Sequence, residues 1–164
     1  MLVYKILFHI IAFWKLIFLK LIYGNHLIIG NHVTWRRHFN VVIDKNAKIV
    51  IGSKCFFNND CSMNALNYIE IGDGTIFGEN VKIYDHNHKF SDESLDIKDQ
   101  GYSIGTVKIG KHCWIGSNVV ILKGAEIGDD CVIGAGTVIS STKIQSGTIV
   151  KNGSSYIFET LRRT

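Results

Sequence analysis

Proline is absent from the 164 residues, whereas glycine occurs 16 times. A chain that cannot set a turn with a locked proline φ turns instead on Gly, Asn and Asp, and Gly-Asn, Gly-Asp, Gly-Ser and Asn-Gly pairs recur along it. Such frequent turning implies many short strands. The four cysteines, Cys55, Cys61, Cys113 and Cys131, form no C-x-x-C pair, and no small-x-small cleavage site follows the apolar start, so a zinc ribbon, a disulfide framework and a secreted precursor are all unexpected. Small buried thiols are the simpler expectation. Charge of one sign is also scarce. A formal net charge of +4 is too small by itself to argue for nucleic acid, and no stretch interleaves basic and aromatic residues over a predicted sheet. At 46% hydrophobic the chain is not a disordered tail, and at this length it is expected to be one domain with appendages.

Residues 1 to 23 are mostly apolar, but Lys5, His9, Lys15 and Lys20 break the run before it reaches the ~18 apolar residues of a spanning helix. Wound at about 100° per residue, Lys5, His9 and Lys20 fall within about 60° of one another and Lys15 about 80° outside them, an imperfect amphipathic helix. Its wide apolar face must bury against something: an anionic membrane surface, its own domain or a neighbouring subunit. Residues 1–25 are assigned to this helix. The expected location is cytoplasmic, with peripheral attachment at the inner face of the membrane as the alternative.

From residue 29 onward the sequence repeats in sixes: an aliphatic residue, often Gly, two polar residues, then a small or aliphatic one. Hexads starting at Ile109, Ile115, Ile121, Ile127 and Ile133 follow one another without a gap. An earlier set starts at Ile51, Phe57, Ile71, Phe77 and Ile83. Six residues make one short strand plus its corner, so three hexads close a triangular coil and successive coils pair as parallel strands. The first position points inward, and Gly, Asn and Asp relieve strain at the corners. Cys113 and Cys131, eighteen residues apart, then stack in one internal column.

The Ile-Gly steps at 51, 71, 109 and 127 locate the departures from this rhythm. Between 71 and 109 the interval is one coil doubled, plus two, so about twenty residues between Tyr84 and Thr106 leave the coil as a loop. Long excursions from a regular scaffold commonly carry function. The coil is assigned to residues 26–142, with the excursion at about 84–106, and a cap and tail to 143–164.

These hexads, with the segment WIGSNVVILKGAEIGDDCVIGAGTVI at 114–139, resemble the hexapeptide-repeat acyltransferases, in particular the sugar O-acetyltransferases. The resemblance covers roughly residues 29–142 and implies an all-β fold, a left-handed parallel β-helix of triangular coils with an N-terminal helical segment and a protruding loop. It also implies a homotrimer, acetyl-CoA as co-substrate in a groove between neighbouring coils, a glycan or small-molecule acceptor, and no metal. The catalytic histidine of such enzymes sits on or beside the excursion. His88 in Tyr84-Asp-His-Asn-His-Lys-Phe90 is the first candidate for the base by its place in the motif and His86 the close alternative, with Asp85 to orient one imidazole or stabilise its charged form. Asn87 is assigned either to the acceptor or to holding the loop. Trp114 resembles the tryptophan lining the donor channel. Ser117 and Ala135 match positions whose main-chain groups hold the pantetheine arm, and Ser140, Ser141, Thr142 and Lys143 fall where the nucleotide end of CoA is contacted. Arg162 and Arg163 either reach the 3′-phosphate or are simply solvated.

The chemistry needs little more, since a thioester is already activated: one base and one oxyanion donor suffice for direct attack by a hydroxyl. The sequence departs from the family pattern at Lys123-Gly124, where Pro-Gly is usual, and at Asn152-Gly-Ser-Ser-Tyr156, where Gly-x-Pro-Ala is usual. Loop residues Asp92, Glu93, Asp96 and Asp99 form an acidic rim or a solvated tip. Alternatives within the same fold are N-acetylation of a nucleotide-linked amino sugar, a γ-carbonic-anhydrase-like zinc enzyme, and a non-enzymatic binding module. The zinc reading wants a spaced histidine trio that His86, His88 and His112 do not reproduce.

Overall fold

The computed structural model describes residues 2–151 and 157–160, with side chains over 10–151. Helix α1, Leu2–Tyr23, leads through a short 3-10 turn, Gly24–His26, into a three-sided parallel solenoid. The first face stacks Leu27–Ile29, Lys48–Ile51, Tyr68–Ile71, Thr106–Ile109, Glu126–Ile127 and Lys143–Ile144 in that order. The second stacks Thr34–Trp35, Phe56–Phe57, Ile76–Phe77, Trp114–Ile115, Val132–Ile133 and Thr148–Lys151. The third carries Asn40–Ile43, Ser62–Ala65, Lys82–Tyr84, Val120–Ile121 and Val138–Ile139.

The register follows the hexad spacing read from the sequence. Ile51 pairs with Ile71, Ile71 with Ile109, and Ile109 with Ile127. The alternation within each strand turns one residue in and the next out, so Ile49, Ile69, Ile115, Ile121 and Ile133 are wholly buried. Parallel pairing continues past residue 142, through Glu126 with Lys143 and Val132 with Ile149, and Ile157–Thr160 adds an antiparallel strand against Thr148–Lys151.

The corners divide between different residues the work expected of Gly, Asn and Asp alike. Most steps into a new strand take a left-handed backbone, among them those at His38, Lys54, Asp60, Asn80, His112, Asn118 and Asp130 and at Gly74 and Gly124. Asn and Asp tolerate this conformation better than other side chains. The Gly of the Ile-Gly step is needed for a different reason. A Cβ on Gly116 would lie 2.6 Å from the main-chain nitrogen of Ala135 in the next coil, and one on Gly72 would lie 2.7 Å from that of Lys111. Close approach of successive coils, and not backbone strain, fixes these glycines. The residue after such a glycine often accepts an N–H from the coil before: Asp73 Oδ1 from Ser53 at 2.6 Å, Asp129 Oδ1 from Lys111 at 2.7 Å, and Ser117 Oγ from Glu79 at 3.1 Å.

The interior is aromatic at the helix end, where Trp35, Phe39, Phe57 and Phe77 stack with centroids 4.5–5.0 Å apart, and aliphatic beyond. Helix α1 closes that end. Ala12 and Leu19 are buried, Leu16 and Tyr23 pack against the core, Tyr23 donates its hydroxyl to the Val41 carbonyl at 3.1 Å, and the Lys15 ammonium donates to the Phe39 carbonyl. Lys15 therefore leaves the polar stripe of the helix because it binds a carbonyl of the coil end, and its burial lowers the ammonium pKa.

All four thiols are buried and free. Cys113 and Cys131 share a column, and their thiols donate to main-chain carbonyls, Cys113 to Gly128 and Cys131 to Gln145, each at 3.1 Å. Burial pushes the Cys55 thiol up to about 11. In native protein Cys55 and Cys61, both raised by burial, are expected to resist a thiol reagent at neutral pH and to react on unfolding; fast labelling of these two in the folded chain would contradict this packing. Gly116→Ala should lower stability by about 1–3 kcal/mol, as overpacking does, and reduce the melting temperature accordingly. An unchanged melting temperature would show that the coils have room to separate.

Candidate active site

The excursion begins where the third face ends. Tyr84 is the last residue of that strand, and Asp85 follows it, wholly buried at the turn toward the first face. A buried carboxylate is tolerable only if its oxygens are occupied, and here they are. Asp85 Oδ2 accepts the Asn67 N–H at 2.7 Å, the Leu66 N–H lies 2.9 and 3.1 Å from the two oxygens, and His86 Nδ1 stands 2.9 Å from Oδ1. The Asp85 carbonyl accepts Gly105 N–H at 2.7 Å, which closes the root of the excursion.

What was expected as a loop is a hairpin. His86–His88 pairs antiparallel with Tyr102–Ile104, setting His86 opposite Ile104, Asn87 opposite Ser103 and His88 opposite Tyr102. The Lys123 ammonium donates to Ser103 Oγ from the coil above. At the tip the Gln100 amide donates to the Asp92 and Leu95 carbonyls at 2.8 and 3.0 Å and accepts the Asp92 N–H at 3.0 Å. The acidic residues Asp92, Glu93, Asp96 and Asp99 are exposed there.

The two histidines have different surroundings. His86 is mostly covered, with its side chain 16% exposed, and its ring meets Tyr102 edge-on at 5.2 Å between centroids. His88 is exposed, and its ring lies tilted against that of Tyr102 at 4.6 Å between centroids. A hydrogen bond from Nδ1 to the carboxylate fixes the His86 tautomer with the lone pair on Nε2, an assignment that rests on the network itself. The carboxylate contact falls on His86, the second of the two histidines in the motif's ranking. Asn87 is exposed between them.

The remaining sequence candidates fall on two corners. Trp114 faces outward from the second face, and Ser117 and Ala135 stand one coil apart at the corner between the second and third faces. Ser140, Ser141, Thr142 and Lys143 occupy the corner between the third and first faces, the hairpin's own corner and two coils beyond it. Ser141 has a left-handed backbone, its Oγ lies 3.4 Å from the Lys123 carbonyl, and Lys143 pairs with Glu126 at 3.4 Å. Within one chain, therefore, Trp114, Ser117 and Ala135 are separated from His86 by the width of the third face. His112 belongs to the corner between the first and second faces, apart from the two hairpin histidines. Arg162, Arg163 and the 152–156 segment lie outside the described residues.

Residues 106–141 match the bacterial transferase hexapeptide family, described as six repeats. Over these residues the chain is similar to the hexapeptide transferases. A probable acetyltransferase of Mycobacterium tuberculosis is 34% identical over 116 residues, 71% of this chain and 36% of that protein. The chain spans between a third and a half of the curated relatives it matches first. Among solved structures, a hexapeptide-repeat acetyltransferase of Vibrio cholerae is similar at a TM-score of 0.70 and 26% identity, over 83% of this chain and 74% of that one. A maltose O-acetyltransferase of Clostridium difficile is similar at 0.67 and 29%, over 86% and 73%. The Vibrio protein has also been solved with acetyl coenzyme A, and that structure shares the fold at a TM-score of 0.68 and 24% identity, over 82% and 71%.

The hexapeptide coil explains how a short segment holds the histidine so firmly. Asp85 is bound by main-chain groups of the previous coil, so the imidazole is oriented by the scaffold and not by the hairpin alone. Asp85→Ala should strip the acceptor from the Leu66 and Asn67 N–H groups and cost about 2–5 kcal/mol, whereas Asp85→Asn should cost less because one oxygen acceptor remains. Denaturant unfolding of the two variants checks this; equal and small losses would mean that water replaces the carboxylate.

Proposed function

We propose that the chain transfers an acetyl group from acetyl-CoA to a sugar hydroxyl, with His86 as general base. The observation that carries the reading is the buried Asp85 carboxylate on His86 Nδ1, at the root of a hairpin on a hexapeptide coil. His86 Nε2 takes the acceptor's proton as its oxygen bonds to the thioester carbonyl carbon. The negative charge moves to the carbonyl oxygen, where a main-chain N–H at the coil edge stabilises it. Collapse of the tetrahedral species breaks the carbon–sulfur bond, and the imidazolium returns the proton to the CoA thiolate. Asp85 stabilises the imidazolium and keeps its tautomer, in the manner of the carboxylate of a Ser-His-Asp triad.

The donor lies along the coil edge at Ser117 and Ala135, with Trp114 beside its reactive end and Ser140, Ser141, Thr142 and Lys143 toward the nucleotide. Because the third face separates Trp114 from His86 in one chain, the site is shared: one subunit holds the donor arm and its neighbour supplies the histidine, in a homotrimer. The acceptor belongs to a polysaccharide or glycan precursor.

Release of CoA from acetyl-CoA, followed over a panel of glycans and nucleotide-linked sugars, tests the reading. His86→Ala should lower kcat by about 10²–10⁴-fold and His88→Ala by less than about tenfold. Light scattering should give three times the 18.4 kDa chain mass. Collapse in His88→Ala alone would return the role to that residue. Turnover only with amino sugars would make the enzyme an N-acetyltransferase, and no binding of acetyl-CoA would overturn the transferase reading.

A further inference from the structure

Helix α1 packs through Ala12, Leu16, Leu19 and Tyr23 and turns its other side away from the coil. That outer side is apolar. Ile10, Trp14, Phe18 and Leu21 are exposed, Trp14 at 65% and Leu21 at 79%, and on the 100° wheel they fall on the face opposite the packed one, with the exposed Ile22 at its flank. An unpaired face of this size, carrying a tryptophan, calls for an occupant. Among the described residues no helix is long and apolar enough to cross a membrane.

The charge distribution says which occupant. Residues 1–48 hold seven Lys and Arg against one acidic residue, Asp44, whereas residues 49–164 hold eleven against thirteen. The net positive charge of the chain is thus gathered in the helix, the first coil over whose end it lies and the start of the second, at Lys48. Lys20, Arg36, Arg37, Lys45 and Lys48 are all exposed there. A second copy docked face to face would bring two such cationic ends together, at a cost in like-charge repulsion. An anionic lipid surface meets both features, since the apolar face enters the acyl boundary and the cations meet the headgroups.

We propose that the helix end of the solenoid docks on an anionic phospholipid bilayer, with α1 lying in the interface and the coil axis standing away from it. The side chains that pack on the coil and those that meet lipid are then opposite faces of one helix. Trp14 sits at headgroup depth, as interfacial tryptophans do.

The full chain should co-sediment with vesicles of mixed phosphatidylglycerol and phosphatidylcholine, at least tenfold more tightly than with phosphatidylcholine alone, and added salt should weaken the binding. Phe18→Ser combined with Leu21→Ser should reduce it more than tenfold with the melting temperature retained. Lys20→Ala and Lys45→Ala should each weaken it roughly fivefold. Equal partitioning onto neutral and anionic vesicles, or none onto either, would overturn the proposal. So would a fall in oligomer mass in the Phe18/Leu21 variant without any vesicle binding by the parent, which would assign the face to a second copy. The binding assay contains no acetyl-CoA, so its failure leaves the transferase reading to its own test.

Discussion

The distance between one coil and the next governs this molecule. Parallel strands pair at about 4.8 Å, and every coil must come that close to its neighbours on all three sides at once. The Ile-Gly step answers that demand. The main-chain nitrogen of Ala135 occupies the space where a side chain on Gly116 would begin, and that of Lys111 does the same for Gly72. The left-handed corners answer a second demand, that the chain turn about a third of a revolution in few residues. Here Asn, Asp, His and Lys serve beside Gly, because a single left-handed residue costs little when ladder bonds hold both sides.

The same spacing makes the excursion possible and places it. A segment can leave a solenoid without loss only at a corner, where the ladders of two faces are interrupted anyway. Leaving between Tyr84 and Thr106 still exposes the main-chain groups of the corner beneath. Asp85 repairs this by accepting the Leu66 and Asn67 N–H groups with a buried carboxylate. That carboxylate has an oxygen in reach of one more donor, and the next residue in the chain, His86, supplies it. The oriented imidazole is in this sense a by-product of closing the coil.

Much of this was legible in the sequence because the period is short and the pattern strict. Intervals between Ile-Gly steps gave the pairing of Ile51, Ile71, Ile109 and Ile127, and the length of the excursion, directly from residue numbers. The shared column of Cys113 and Cys131 came from the same count. The hairpin was less visible. His86–His88 and Tyr102–Ile104 have no strict alternation, and their pairing depends on a corner closure that spans twenty residues. That a buried Asp85 would contact His86 could not be read from the motif, because burial at a coil exit is a tertiary property. Nor could the roles of the corner glycines be separated, since φ and close approach leave the same residue in the sequence.

The helix shows how one unusual segment can satisfy two environments. An amphipathic helix normally offers one apolar face, and here the coil end takes a narrow strip of small and aliphatic contacts at Ala12, Leu16 and Leu19, leaving the larger side chains outside. Lys15 sits at the edge of that strip, where its stem is covered and its ammonium finds the Phe39 carbonyl. An aromatic-filled coil needs a lid to keep Trp35 and Phe39 from water, so the inner face of the helix is accounted for by the fold. The outer face is not, and neither is the surplus of seven cations over one anion in the same 48 residues. If both serve one surface, the hairpin root stands only two coils, or roughly 10 Å, above the first coil. Helix α1 lies between that coil and such a surface, so its diameter of about 10 Å adds to the height at which His86 would stand.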